Sequence, residues 1–246
     1  MTKSFLDLFI LFCYFPNMIA SIHQPQFMPW LGYFHKIIKS DIFVFLDTVQ
    51  FKKNEFQNRN KIKTAQGWMW LTVPVLYKYP EHINEVKINS GVDWRKKHMR
   101  ALEINYQKAP YCRWLFPTMD GFYTGDSESL SELNRESVLT LLKVLGVNKK
   151  TKVASEVELE DFSEEPSERL AAICASLGAD TYLSGAGGRE YLNLDPFHTK
   201  DITVIFQEFQ HPVYRQLYAD FVPNLSLLDL LFNYGPDSLN VLEGTV

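Results

Sequence analysis

Between residues 19 and 46 the chain passes from one short apolar run, Ile19 to Ile22, to another, Ile42 to Leu46, across a segment of helical spacing. Pro25 and Pro29 punctuate the exit from the first run, and Leu31, Phe34 and Ile38 then recur on one helix face. Asp41 opens the second run. This reads as a strand, helix, strand unit, the building block of open α/β sheets. Polar side chains at strand ends in such units face the crevice where these sheets bind ligands. Here they are His23 and Gln24 after the first strand, and Asp47, Gln50 and Lys52 after the second.

The rest of the chain extends the alternation. After Gln57 to Lys63, a polar and basic stretch, Gly67 marks a turn into WMWLTVPV, a third strand by its β-branched and aromatic content. The period-two pattern of INEVKI, residues 83 to 88, predicts a half-exposed strand. From Asp93, a predicted N-cap, Trp94, His98, Ala101, Leu102 and Asn105 share a helix face, which turns His98 inward. Residues 110 to 126 read as a connection rich in Pro, Gly and aromatics, and Ser129 with Glu132 forms a capping box for a helix that ends at Gly146. A short strand in TKVASEVE, a helix through Leu170, Ile173, Cys174 and Leu177, and a strand in TYLS lead to a glycine-rich turn. The strand ITVIFQEF, an aromatic loop and a terminal helix complete the pattern. The expectation is one α/β domain over residues 18–246, with a mainly parallel, Rossmann-like three-layer sheet and a helical insertion around 91–147. Residues 1–17 are expected to be an N-terminal extension outside the fold, because Met18 stands immediately before the first strand; their apolar run from Leu8 to Phe15 is too short to span a bilayer and shows no convincing small-residue cleavage site, with a weak membrane tether as the alternative.

Composition narrows the function. With a net charge of −4 and a pI near 5.9, the chain lacks the basic excess of a general nucleic-acid binder, so no nucleic-acid partner is expected. The three cysteines, Cys13, Cys112 and Cys174, match no zinc or disulfide framework, which points to a reducing, cytoplasmic compartment and to no metal centre. No serine-hydrolase elbow, paired carboxylates or reactive-cysteine context is present. What remains is ligand positioning by His, Asn, Arg and backbone amides, the style of phosphate and nucleotide chemistry.

Several groups suit that role, each with a plainer alternative. Ser184, Gly185, Gly187, Gly188 and Arg189 offer backbone amides and a guanidinium for a phosphate, or simply a tight chain reversal. In QNRN, residues 57 to 60, Asn58, Arg59 and Asn60 bring donors for phosphate, carboxylate or sugar hydroxyls, or form a polar surface loop. His23 is a candidate general base or transition-state donor, or a structural histidine bonded to a carbonyl. His35 faces either the pocket or the core, Asp47 contacts substrate or forms a turn, and His211 with Tyr214 closes over a ligand from the aromatic loop.

The motifs IHQP, PWLGYFHKI, VQF, NRN, WLTVPV, YLSG, GGR, FQHPVY and LSLLDLLFN, spread from Ile22 to Asn233, resemble those of the WbqC-like protein family. The resemblance implies a role in bacterial surface-polysaccharide (O-antigen) or related glycan-precursor biosynthesis. The expected activity is a transferase or ATP-dependent ligase with a nucleotide-sugar or amino-sugar substrate. A non-catalytic protein that binds a glycan intermediate or a partner in the same pathway is the alternative. The opening unit is also similar to the start of pantothenate-synthetase-like nucleotidylyl transferases. That similarity implies ATP with Mg2+ as cofactor and sets Gly32 and His35 at the second half of an HxGH-type signature, with His23 near its beginning. The strict HxGH spacing and a KMSKS-like segment are absent.

Overall fold

In the computed structural model, residues 18–159, 163–218 and 220–244 are described, so the expectation for residues 1–17 lies outside them. The elements run β1 (Ile19–His23), α1 (Leu31–Ile38), β2 (Ile42–Phe45), β3 (Arg59–Thr64), β4 (Gly67–Thr72), β5 (Val75–Leu76) and β6 (Lys87–Ile88). They continue α2 (Trp94–Tyr106), α3 (Cys112–Tyr123), α4 (Leu130–Val144), β7 (Lys150–Val153), α5 (Pro166–Ser176), β8 (Thr181–Ser184), α6 (Asp195–His198), β9 (Thr203–Phe206), α7 (Leu227–Tyr234) and α8 (Ser238–Glu243).

The α/β expectation holds. Five strands form one sheet in the order β7-β2-β1-β8-β9, and every neighbouring pair is parallel. Successive residues of a strand point to opposite faces, and the two faces bury different helices. Phe43 and Phe45 pack with Phe34 and Ile37 of α1, whereas Ala20, Ile22, Val44 and Tyr182 pack with Ile173 and Cys174 of α5 and Phe197 of α6. Strands covered on both sides read as continuous apolar runs, which is why Ile42–Phe45 shows no alternation.

Four local expectations are corrected. The basic stretch after Gln57 is a strand, β3, paired antiparallel with β4; its inward Asn60 is tolerated because the side-chain amide is spent on backbone groups. Ile83–Glu85 is a 3-10 turn, and only Lys87–Ile88 pairs, with β5. Residues 110 to 126 contain a helix, α3, despite Pro117: Leu115, Met119 and Tyr123 stand four apart and bury one stripe, which outweighs the lost backbone bond. Asp93 sits at the N-cap of α2 without a capping bond and instead pairs with Lys96 at 3.4 Å. The Ser129 cap is present, its Oγ accepting from the Glu132 amide.

Candidate functional site

The strand order decides where a site forms. From β1 the sheet grows outward in both directions, to β2 and β7 on one side and to β8 and β9 on the other. Connections leave the carboxyl ends of β1 and β8 toward opposite sheet edges, and the crevice between such ends is the topological switch point. The register Ser21↔Leu183 sets His23, the last residue of β1, beside the chain that follows Ser184, the last residue of β8. The two stretches that the sequence singled out therefore meet.

His23 is half-buried. Its Nδ1–H donates to the Gln24 carbonyl at 3.0 Å, and its ring meets Tyr33 edge-on at 4.8 Å. Burial, helped by the Lys36 charge, lowers its pKa to about 3. A neutral imidazole with Nδ1 protonated leaves Nε2 as a lone-pair acceptor. Gln24 is held by Gln57, whose Nε2 donates to the Gln24 Oε1 at 2.7 Å.

Beyond Ser184, Ala186–Glu190 forms a 3-10 turn. The amides of Gly185, Ala186 and Gly187 have no hydrogen-bond partner among the described residues. Gly188 is required by close approach, since a Cβ there would lie 2.2 Å from the Ser184 Oγ. Gly188→Ala is accordingly expected to destabilise the protein by about 1–3 kcal/mol, read as a lowered urea midpoint, because Ser184 is buried and has little room to yield.

Arg189 is exposed, lies 3.7 Å from Glu208 and stacks on Phe206 at 4.6 Å. Together with His35, Ala186, Gln207 and Phe209 it lines an open cleft of about 700 Å³. Gln207 fixes the His35 tautomer: its Nε2 donates to the Gly32 carbonyl at 2.8 Å and to the His35 Nδ1 at 3.0 Å. Gly32 itself packs under the Trp30 ring, 2.2 Å from where a Cβ would stand.

Two residues at this site escaped the sequence reading. Gln207 gave no signal beyond following a strand. Lys36 did: it lies on the buried stripe of α1 between Tyr33 and Ile37, where a lysine interrupts the apolar pattern. It is 3% exposed, and its Nζ donates to the Ile22 carbonyl at 2.8 Å.

The other sequence candidates lie in different settings. Asp47 accepts from the Ser155 amide and hydroxyl at 3.0 and 2.8 Å, tying the end of β2 to the turn after β7. Gln50 makes a bridge with His82. Asn58 donates to the Val73 carbonyl, and Asn60 to those of Phe27 and Met28, so both brace the hairpin of β3 and β4 against the turn after β1. Arg59 lies 4.1 Å over the Trp70 ring and donates to the Asn54 carbonyl. His98 is a core residue: Nε2 faces the Thr72 carbonyl, Nδ1 faces the Tyr123 hydroxyl, and burial lowers its pKa to about 4. His211 has both nitrogens engaged, Nδ1 with the Pro212 carbonyl and Nε2 with the Asn224 amide. Tyr214 donates to Asp229. Thus the register sets His23 beside Gly185 at the switch point, and His35, Ala186 and Arg189 line a cleft reached from the same turn, while Arg59, His98, His211 and Tyr214 are committed to other contacts.

Among the described residues no helix is long and apolar enough to cross a membrane, and no group of three or more His, Cys, Asp or Glu is placed to hold a metal ion. No solved structure matches the chain. An uncharacterised protein of Mycobacterium tuberculosis, Rv1507c, is 36% identical over 231 residues, covering 91% of this chain and 97% of its own. The model of the WbqC-like protein family matches residues 24–241, nearly the whole span from Gln24 to the last helix, and the chain belongs to that family.

Proposed function

We propose that the protein is an enzyme of bacterial surface-polysaccharide (O-antigen) or related glycan-precursor biosynthesis that binds a nucleotide or nucleotide-sugar at the switch point and transfers or ligates an acyl group, including an aminoacyl group, to an amino sugar. The observation that supports it is the meeting of a neutral, oriented histidine with a glycine-rich turn at adjacent strand ends. In this reading the turn amides and Arg189 hold the phosphates. The acceptor amine attacks the acyl carbon, the bond from that carbon to its phosphate or nucleotide leaving group breaks, and the amine proton passes to solvent. The Nε2 of His23, a neutral acceptor, orients the amine by a hydrogen bond, and His35, fixed by Gln207, offers its Nε2–H to the cleft that Arg189 lines. ATP with Mg2+ is the proposed co-substrate of the ligating form of the reaction.

The test is isothermal titration against ATP and against dTDP- and UDP-amino sugars. Saturable binding of at least one, weakened roughly 10-fold or more by Arg189→Ala, is the expected result. Failure of all of them to bind, or an Arg189→Ala protein that binds as well as the parent, would overturn the reading.

A further inference from the structure

Lys36 has a geometry that packing does not explain. Its side chain is 3% exposed, yet its ammonium has one hydrogen-bond partner, the Ile22 carbonyl, and no carboxylate within ion-pair reach among the described residues. Two of its three donors are unused. The titratable groups facing it are His23 from β1 and Cys174 from α5, and neither supplies a negative charge: His23 is neutral, and burial pushes the Cys174 thiol up to about 12. A buried ammonium without a counter-charge destabilises a fold, and an apolar side chain of the same length would fill the space without that cost.

Its position is equally specific. The β1–β8 ladder ends at Ser21↔Leu183, and alternate carbonyls of β1, from Met18 onward, point toward β8. The Ile22 carbonyl would be the next to accept, from the Gly185 amide. Lys36 occupies that carbonyl instead, and the Gly185 amide has no partner among the described residues. The strands therefore part at the switch point, and the lysine head lies where they part.

We propose that the Lys36 ammonium is the buried positive charge that receives an anionic phosphate oxygen of the ligand, between the carboxyl ends of β1 and β8. The ligand then supplies the missing counter-charge, and the free Gly185 amide lies beside the same point. A lysine on a rigid helix has donors to spare for the anion, and the incoming negative charge favours the protonated form of its amine. The inference rests on the switch-point site proposed above, but it concerns the anion and not the nucleoside.

The experiment uses inorganic pyrophosphate as probe, titrated calorimetrically into the full chain and into its Lys36→Met variant. Pyrophosphate is expected to bind the parent saturably and the variant roughly 10- to 100-fold more weakly, the range of a lost charge-assisted contact. Lysine-selective NMR of the parent is expected to show one ammonium signal that moves with pyrophosphate and is missing from the variant. Circular dichroism checks that the variant is folded. No saturable binding by the parent, or affinities within about twofold of each other in two folded proteins, overturns the inference. Pyrophosphate binding through Lys36 together with no binding of any nucleotide or nucleotide-sugar would support this inference and remove the nucleotide reading.

Discussion

Lys36→Met is expected to make the protein more stable, by roughly 2–4 kcal/mol at pH 6. Burial lowers the lysine pKa from 10.5 to about 7, which amounts to about 5 kcal/mol of folding free energy opposed by the charge. Methionine removes that opposition but leaves the Ile22 carbonyl without its donor, an offset of about 1–2 kcal/mol. At 246 residues the net gain corresponds to a thermal midpoint raised by roughly 5–15 °C. The sign with pH follows from proton counting. Between pH 7 and 10.5 the unfolded chain binds the proton that the folded chain has lost, so the parent gains stability as pH rises through this window. The variant lacks that slope, and the two stabilities draw together in alkali. Urea unfolding of both proteins at pH 6 and pH 9 measures this. Equal stability at pH 6 would rule out an uncompensated buried charge at Lys36. A more stable variant that has lost pyrophosphate binding would mark Lys36 as a residue kept for binding at the expense of stability.

The opposite effect is expected at Asp229 in α7. Its carboxylate is fully buried and accepts from the hydroxyls of Tyr106 and Tyr214, each at 2.9 Å. Tyr106 in turn accepts from the Lys63 amide at 2.8 Å, so one side chain links α2, β3, α7 and the aromatic loop. Asp229→Ala leaves two buried hydroxyls without acceptors and opens a void, and is expected to cost about 3–5 kcal/mol, read as a lowered urea midpoint. Burial raises the Asp229 pKa from 3.8 to about 6, against the two tyrosine bonds and Lys63, which lower it. The folded chain therefore binds the extra proton between those values, and this group's contribution falls by up to about 3 kcal/mol as pH rises from 4 to 6. Asp229→Asn keeps an acceptor and removes the titration, so its stability is expected to be flatter across that window. A parent profile no steeper than the variant's would rule out the raised carboxylate.

The two residues show how far local pattern reaches. Asp229 and Lys36 both lie on helical stripes that periodicity predicts well, but periodicity does not say what a polar residue on a buried stripe meets. Asp229 meets two hydroxyls and is structural. Lys36 meets one carbonyl and no counter-charge among the described residues. The same limit explains the QNRN segment, which looks like a ligand-gripping loop: Asn58 and Asn60 spend their amides on backbone carbonyls that are distant in sequence. His98 and His211 are satisfied in the same way. Helix α3 was missed because Pro117 and Gly121 are local breakers, whereas the burial of Leu115, Met119 and Tyr123 that overrides them is a tertiary gain.

What the sequence by itself determined is the kind of parts and the residues at their ends: a strand closing on His23, a helix starting near Leu31, a strand running into a glycine-rich turn, and the alternation that makes the sheet parallel. Those features depend on dihedral preference and on side-chain period, which are properties of neighbouring residues. The order β7-β2-β1-β8-β9 was decided only by the tertiary structure. That order pairs β1 with a strand far along the chain, puts His23 beside Gly185, and parts the ladder where Lys36 enters. Strand pairing and desolvation are energies of groups brought together in space, so they come into being only when the chain closes on itself.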